Sequence, residues 1–280
     1  MFPQTAFCWG FCIMSSIIVM ASYATETNNR LEYAKETLNS LIATVDFNEH
    51  QLFISDNGSC DEMLEFYKEF SIVFGCVFPD ENLTISYNGK NLGTAEAVNL
   101  GIRTRKPNQY VIKIDSDITV GQQGWVEEME ECFDRYPNLG ILGLKRTEVT
   151  QKADHENPAY RTQLVSVPHE RGQKWIILEL CSDIIGSCTM LSPKLLDKVG
   201  YFFQFGTYGW DDVILCLRSE KAGFVNAFLP HIPIVHLDNG EGEYVKEKMK
   251  EAERTISQFG EIAEDYKSGV RDIYYNPFED

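Results

Sequence analysis

The 280-residue chain is predicted to fold as a single α/β domain, with a mostly parallel central sheet flanked by helices. Two observations support this prediction. Short, β-branched apolar runs alternate with amphipathic helical patterns from Ile17 to Leu144, as in parallel sheets whose strands are joined by helices. The apolar runs are continuous, as expected for strands that are buried on both faces. We expect a smaller antiparallel portion in the second half of the chain.

The first half of the chain is interpreted as repeated strand–helix steps. In order, these are strand Ile17–Ala21, helix Leu31–Ile42, strand Leu52–Ser55, helix Met63–Phe70, strand Leu83–Tyr87, helix Ala95–Ile102, strand Tyr110–Asp117 and helix Trp125–Tyr136. Asn28 or Asn29 is available to cap the first helix, because asparagine side chains accept hydrogen bonds from free helix amides.

The second half is less regular. In order, we predict strand Leu139–Leu144, a long loop at Arg146–Gly172, strands Trp175–Cys181 and Ser187–Leu191, a helix opened by Ser192-Pro193, an aromatic loop at Val199–Tyr208, a helix in DDVILCLRSEKAG, strands Val225–Phe228 and Ile232–Val235, and a charged helix from Glu241. The long loop is polar, contains two prolines and shows little periodicity.

These elements predict one large domain over residues 15–240, divided into halves 15–120 and 121–240, followed by a charged helix and tail at 241–280. Met1–Met14 is apolar, but it lacks the basic residues that begin a signal peptide. The segment that follows, SIIVMAS, is also a good first strand. We therefore expect Met1–Met14 to be a dispensable extension, and we expect no integral membrane span.

Charge and cysteine content narrow the possible partners. A net charge of −17 argues against binding to nucleic acid or to anionic lipid, and a phosphorylated ligand would need a local cation. The eight cysteines form no C-x-x-C pair and most lie in apolar runs, which predicts neither disulfides nor a zinc site. We expect a reducing compartment, the cytoplasm.

Asp115 and Asp117 follow the buried run Val111–Ile114 and are separated by one serine. In an open α/β sheet, ligands bind at the carboxyl ends of the strands. Two acids at such an edge suit a hard divalent cation and the phosphates that it carries. From these residues alone, an acidic turn that only ends the strand explains the pattern equally well.

Three further motifs and a histidine accompany this pair. They are SDNGSCDE at Ser55–Glu62, NLGTAEAVNLG at Asn91–Gly101, GWDDVILCLR at Gly209–Arg218 and His236 in IVHLD. Their order and spacing from Ile17 to His236 resemble the family 2 glycosyltransferases, which have the GT-A fold. The resemblance implies a nucleotide-sugar half at 15–120 and an acceptor half at 121–240.

The resemblance also implies roles for the donor-side residues. Asp117 would bind the cation, Mn²⁺ or Mg²⁺, and Asp115 would contact the ribose, a metal-bound water or the metal itself. His236 would supply a further ligand, although a histidine at a strand end is often structural. By resemblance, Asp56 would contact the nucleotide base, and Ser22 is a further candidate for the same pocket. Asn91 and Gly93 shape the turn before the third helix, and their amides are candidates for a phosphate contact. The alternatives are that Asp56 makes a turn with Asn57 and that Gly93 serves only packing.

GWDDVILCLR would form the acceptor side. By resemblance, Asp212 is the base that takes the proton of the acceptor hydroxyl, and Asp211 positions the acceptor or the base. The chain departs from the family pattern here, because Asp211 replaces a glutamate and Ile214 replaces an acid. The pair could also be an acidic helix start, and Trp210 could stack on a sugar or lie in the core. GSCT at Gly186–Thr189 resembles a family stretch that lines the acceptor site.

The function implied is a metal-dependent inverting glycosyltransferase, which moves a sugar from a nucleotide sugar to a hydroxyl of a glycan or another acceptor. A nucleotidyltransferase would need a glycine-rich basic loop after the first strand, and Ser22–Thr27 contains no glycine, lysine or arginine. A non-catalytic nucleotide or carbohydrate binder would be expected to lack Asp117, or both Asp211 and Asp212, and all three are present.

Overall fold

The computed structural model describes residues 15–28, 30–147, 163–168, 175–184, 186–238 and 243–279. The strands in these ranges form one ten-stranded sheet with helices packed against it, which confirms the predicted α/β class. The predictions for Met1–Met14, for Asn29 and for most of the loop Arg146–Gly172 lie outside the described residues.

The strands are β1 Ser16–Ser22, β2 Gln51–Asp56, β3 Leu83–Tyr87, β4 Tyr110–Asp115, β5 Ile118–Val120, β6 Leu139–Arg146, β7 Gln163–Pro168, β8 Trp175–Cys181, β9 Cys188–Leu191 and β10 Val225–His236. The helices are α1 Arg30–Thr44, α2 Asp61–Gly75, α3 Thr94–Ile102, α4 Trp125–Arg135, α5 Pro193–Val199, α6 Asp211–Lys221 and α7 Glu243–Ser268.

The sheet has a parallel half and a mixed half. Its strand order is β3-β2-β1-β4-β9-β6-β10-β8-β7, and β5 pairs with β10 outside this path. The first four strands of this order run parallel, whereas β9 is antiparallel to both β4 and β6. The antiparallel portion expected from the sequence is therefore present and lies beside β4.

The register of the parallel half brings the predicted donor-side residues to one edge. Ala21 of β1 lies opposite Ser55 of β2 and Asp115 of β4, and Ser22 lies opposite Asp56. Because the strands are parallel and in step, their carboxyl ends coincide. Polar residues that are far apart in the sequence therefore surround one region beyond β1, which is where ligands bind in open α/β sheets.

The structure corrects three predicted strand bounds. The strand expected over Tyr110–Asp117 ends at Asp115, and the β-branched run at Ile118–Val120 forms β5. Val225–Phe228 and Ile232–Val235 belong to one strand, since a register shift between Leu229 and Pro233 accommodates prolines that cannot donate hydrogen bonds. Strand β7 lies within the segment predicted to be a loop.

Helix α3 approaches the sheet closely because its inward residues are small. A Cβ on Gly101 would lie 2.6 Å from Val19 Cγ1, so the motif requires glycine at this position. Asn99 of the same helix donates to Phe202 O and accepts from Phe202 N, both at 2.9 Å. The motif thus fixes the loop that leads into α6.

Two apolar layers cover the sheet, and a third cluster joins α7 to α6. The third cluster contains Ile214 of α6 with Ile262 and Tyr266 of α7. Arg218 is fully buried and donates to Tyr201 O and Ile273 O, each at 2.7 Å. The motif arginine therefore connects α6 to the preceding loop and to the C-terminal tail.

A buried polar cluster lies at the amino end of β1. Ser16 Oγ donates to Glu130 Oε1 at 2.6 Å, and Ser16 N donates to His50 Nδ1 at 3.1 Å. Burial raises the pKa of Glu130 to about 7, although the Ser16 hydrogen bond acts in the opposite direction. The folded protein therefore binds this proton more tightly than the unfolded chain does.

We predict that this carboxyl makes the protein less stable as pH rises. Its contribution to stability is full below about 4.5, the ordinary pKa, and is lost as pH rises through about 7. Glu130→Gln should therefore be more stable than wild type at pH 8 by roughly 1–3 kcal/mol, and the difference should shrink towards pH 5. Urea unfolding at several pH values measures this, with the exposed Glu69→Gln as control; a difference that does not depend on pH would contradict the prediction.

Candidate active site

A cleft of about 550 Å³ opens beyond the carboxyl ends of β1 and β4. It brings together most of the predicted site residues, namely Ser22, Asn91, Asp115, Asp117, Asp211, Asp212 and His236. Asp56 and Gly93 lie next to residues that line the cleft. One wall comes from α7, to which the sequence analysis assigned no part in the site.

Asp117 is buried at the turn after β4 and forms an ion pair with Arg30. The Arg30 guanidinium, at the start of α1, contacts both Asp117 Oδ2 and Asp238 Oδ2. Burial lowers the pKa of Arg30, but the two carboxylates outweigh it and the pKa is raised. Arg30 was not predicted as a site residue, although it is the basic residue nearest to the end of β1 in the sequence.

His236 directs one ring nitrogen towards Asp117 and the other towards the backbone. Its Nδ1 lies 2.8 Å from Asp238 O, and a carbonyl only accepts, so Nδ1 carries the proton. The other ring nitrogen, Nε2, lies 3.5 Å from Asp117 Oδ2. A backbone hydrogen bond of this kind is how metal-binding histidines are usually oriented.

Asp117 and His236 fit a divalent cation that takes the rest of its ligands from a bound substrate and from water. Among the described residues, no three His, Cys, Asp or Glu side chains are grouped so that they could hold an ion by themselves. Magnesium-like ions often take one or two protein ligands and complete their shell with substrate phosphates and water. Asp117 and His236 match that pattern, but an ion at Asp117 Oδ2 would compete with Arg30 for the same oxygen.

Lys113 lies between Asp115 and the acid pair at the start of α6. Its buried Nζ donates to Gly186 O at 2.8 Å and lies 3.5 Å from Asp115 Oδ1 and 3.7 Å from Asp211 Oδ2. Burial lowers the pKa of Lys113, but the neighbouring carboxylates raise it further, so the side chain remains a cation. Burial also raises the pKa of Asp115, and Lys113 opposes that effect.

The acid pair at the start of α6 has two different environments. Asp212 Oδ2 accepts from Gly186 N at 2.7 Å. Asp211 is buried, and its Oδ2 has no hydrogen-bond partner among the described residues. Burial, followed by repulsion from Asp212, raises the pKa of Asp211 to about 7. One carboxylate is thus oriented by a backbone amide, and the other is partly desolvated.

Asp56 and Ser22 form the inner end of the site at the tips of β2 and β1. Asp56 Oδ2 accepts from Gly58 N at 3.1 Å and from Ser59 N at 3.2 Å, so the residue does make the predicted turn. Its buried Oδ1 has no partner among the described residues. Ser22 is buried with its hydroxyl bonded to Tyr67. A base contact through Asp56 Oδ1 stays a prediction.

Asn91 and Gly93 shape the turn before α3. Gly93 N donates to Asn91 Oδ1 at 2.9 Å, which leaves this amide unavailable to a phosphate. Gly93 has φ 88°, and a Cβ there would lie 2.8 Å from Thr207 Cα. The geometry gives Gly93 a packing function, as the alternative interpretation held, and a donor contact through Asn91 stays a prediction.

Trp210 connects the acid pair to α7. Its indole N–H donates to Thr255 Oγ1 at 3.1 Å and to Ala252 O at 3.2 Å, and its ring stacks on Phe259 at 4.5 Å. The residue has φ 69°, a conformation that is unusual for a non-glycine residue. The ring is therefore packed against α7, although Trp210 also lines the cleft.

Helix α7 adds two side chains that the sequence analysis missed. The Tyr244 ring lies under the Arg30 guanidinium, and Arg30 Cζ is 4.7 Å from the centre of that ring. Lys248 Nζ lies 4.8 Å from the ring centres of both Tyr208 and Tyr244. Their four-residue spacing on one helix face was the available signal, but the charged pattern of this helix favoured a solvent-facing interpretation.

The structure is an α/β domain with a cleft at the carboxyl ends of its parallel strands, and comparison with known families assigns it to one of them. Residues 22–200, more than half of the chain, match the Glycosyl transferase family 2, and the chain belongs to this family. The resemblance inferred from the motifs is thereby confirmed.

Solved glycosyltransferases share the fold at low identity. The mannosyltransferase PcManGT from Pyrobaculum calidifontis, in complex with GDP-Man and Mn²⁺, has a TM-score of 0.60 at 16% identity, over 82% of this chain and 58% of that one. S. aureus TarS 1-349 with UDP-GlcNAc has a TM-score of 0.58 at 14% identity, over 83% and 61%. GalNAc-T7 with UDP, GalNAc and Mn²⁺ has a TM-score of 0.58 at 12% identity, over 82% and 45%.

A curated relative is much longer. The uncharacterized protein y4gI of Sinorhizobium fredii (strain NBRC 101917 / NGR234) is 21% identical over 228 residues, which cover 78% of this chain and 24% of that protein. The chain thus spans about a quarter of this relative and no more than 61% of the three solved structures described above. Among the described residues, no helix is both long and apolar enough to cross a bilayer.

We predict that Gly186→Ala displaces the side chains of Asp212 and Lys113, which both contact the Gly186 backbone, without unfolding the protein. A Cβ would lie 2.7 Å from Asp212 Oδ2 and 2.8 Å from Lys113 Nζ, so both side chains must move by roughly 0.5–1 Å. Gly121→Ala is the matched control, because a Cβ there meets nothing within 4 Å. Crystal structures of both variants measure the shift; an unmoved Asp212 in Gly186→Ala would contradict the prediction.

Proposed function

We propose that this chain transfers a sugar from a nucleoside-diphosphate sugar to an acceptor hydroxyl, with inversion and with dependence on a divalent cation. The observation that carries the proposal is that Asp117 with His236 and Asp211 with Asp212 line the same cleft. One pair has the chemistry to hold a cation and its diphosphate, and the other has the chemistry to act on a hydroxyl. The family membership supports the same reaction class.

On the donor side, Asp117 and His236 would hold Mn²⁺ or Mg²⁺ together with the donor phosphates. When bound, such an ion acts as a Lewis acid that stabilises the charge developing on the leaving diphosphate. Asp56 Oδ1 lacks a hydrogen-bond partner in the described structure and would accept from the nucleotide base. Asp115, Ser22 and Asn91 would contribute contacts to the ribose and phosphates from the same edge.

On the acceptor side, Asp212 would remove the proton of the acceptor hydroxyl. The oxygen then attacks the anomeric carbon opposite the diphosphate, the bond from that carbon to the phosphate oxygen breaks, and the configuration inverts. The Gly186 amide holds one oxygen of Asp212, which orients the carboxylate for this proton transfer. Asp211, held between Lys113 and Gln204, would position the base and the acceptor.

The relatives suggest which donors to test. PcManGT was solved with GDP-Man, TarS with UDP-GlcNAc, and GalNAc-T7 with UDP and GalNAc. At 12–16% identity these structures support the fold, so both the sugar and the nucleotide of this chain belong to the proposal. A cytoplasmic location, expected from the scattered cysteines, also stays a proposal.

The proposal is tested by donor binding and turnover with and without Mn²⁺. UDP- and GDP-sugars are titrated calorimetrically, and nucleotide release is followed with glycan acceptors. Asp117→Ala should lose the metal-dependent part of donor affinity, about tenfold or more, because it removes a charged ligand. Glu69→Ala removes the same charge from an exposed site and should bind like wild type.

Two outcomes would contradict the proposed metal-dependent sugar transfer. Donor affinity that is indifferent to both Mn²⁺ and Asp117→Ala would refute the ligand role of Asp117. Absence of metal-dependent binding and turnover with every donor would overturn the enzyme function itself.

The base assignment gives a separate prediction. Asp212→Asn should keep donor affinity within about threefold and lower transfer by about 10²–10⁴-fold, because it removes the proton acceptor. Titration calorimetry measures the first quantity and a coupled nucleotide-release assay the second. The exposed Asp61→Asn is the control, and wild-type transfer by Asp212→Asn would place the base elsewhere.

A further inference from the structure

Among the described residues, four lysine and arginine side chains line the cleft, and three of them have fixed polar partners. Arg30 contacts Asp117 and Asp238, Lys113 donates to Gly186 O, and Arg146 Nε donates to Ser187 Oγ at 2.6 Å. These contacts are internal to the protein and hold the carboxylates and the turn in place. The remaining one, Lys248, differs from the other three.

Lys248 is held by aromatic rings and has no polar partner in the part of the chain that the structure describes. Its Nζ lies 4.8 Å from the ring centres of both Tyr208 and Tyr244, within the range of cation–π contacts. No carboxylate or hydrogen-bond acceptor among the described residues pairs with it. An ammonium group has three N–H donors, and ring faces offer them no strong acceptor. The group is thus oriented, yet its hydrogen bonds are open to a ligand in the cleft.

We propose that Lys248 binds the diphosphate of the nucleotide-sugar donor. This inference rests on the proposed function and deepens it, because it names a residue that recognises the charged part of the substrate. A diphosphate supplies the anionic oxygen acceptors that the ammonium lacks. Its negative charge also needs local cations, since the chain carries a net charge of −17 and five aspartates line the cleft.

The position of Lys248 is fixed by the packing of α7. Trp210 bonds to Ala252 and Thr255, one and two turns after Lys248, and Thr255 is fully buried. The loop before α6 also approaches the helix closely, because a Cβ on Gly209 would lie 3.3 Å from Ala252 Cβ. The lysine is therefore presented from a docked helix and needs little ordering when a ligand arrives.

Helix α7 lies beyond residues 22–200, the segment that matches the family. The acids of the cleft that precede residue 200 are thus in the matched segment, whereas Lys248 comes from a part of the chain that is outside it. We infer that α7 gives this chain a diphosphate contact of its own, additional to the cation at Asp117 and His236.

Titration calorimetry with UDP and GDP in the presence of Mn²⁺ tests the inference, using uridine and guanosine as probes that lack phosphate. The variants are Lys248→Met, which keeps an apolar stem between the tyrosines, and Lys248→Arg, which keeps the charge. Lys250→Met is the matched control, because Lys250 is exposed on the same helix. Thermal unfolding of each variant checks that α7 remains docked.

For the nucleotide that the wild type binds, Lys248→Met should lower affinity about tenfold or more, as for loss of a charged hydrogen bond. Its nucleoside affinity should be unchanged, and Lys248→Arg and Lys250→Met should bind the diphosphate within about threefold of wild type. Unchanged diphosphate affinity in Lys248→Met, or an equal loss of nucleoside affinity, would overturn the inference alone. If the wild type bound neither diphosphate, the proposed function would fail and this inference with it.

Discussion

The repulsion between carboxylates in one small cleft is the constraint on which the rest of the site depends. Asp115, Asp117, Asp211, Asp212 and Asp238 share a volume of about 550 Å³ in a chain of net charge −17. Partly buried like charges disfavour one another strongly unless cations lie between them. Lys113 separates Asp115 from Asp211, and Arg30 joins Asp117 to Asp238. These two buried cations allow the five carboxylates to occupy one edge of the sheet.

Lys113 and Arg30 do not satisfy every buried polar atom of the site, and the unsatisfied atoms lie in or next to the cleft. Asp211 Oδ2 and Asp56 Oδ1 are buried without hydrogen-bond partners among the described residues. Trp210 holds a left-handed backbone conformation immediately before the acid pair. Unpaired buried groups and unusual backbone conformations cost free energy and are concentrated at functional sites. Their clustering around this cleft supports binding there more strongly than any single residue does.

Much of the fold could be predicted from the sequence, because local residue patterns determine the strands and helices of the parallel half. Continuous apolar runs and helical spacing gave the first strands and helices, and the polar residues after each strand marked the edge where the site lies. The single strand β10 was not predictable, since Pro230 and Pro233 are strand breakers and only a register shift against β6 accommodates them. Strand β7 was missed because its polar surroundings resemble a loop.

At the site, the acidic residues could be predicted from the sequence more readily than the basic residues. Acids at strand ends are visible in a sequence because their position relative to an apolar run is local. The basic residues of the cleft are harder to predict, since Arg30 and Lys248 reach it from two helices that are far apart in the sequence. A lysine within an apolar strand can be read as a signal, because burial of an unpaired ammonium is too costly to occur without carboxylates nearby. By that reasoning, Lys113 in YVIKIDSD predicts that acids lie beside its ammonium group, and the structure places both Asp115 and Asp211, which is supplied by a distant segment, within 3.7 Å of Lys113 Nζ.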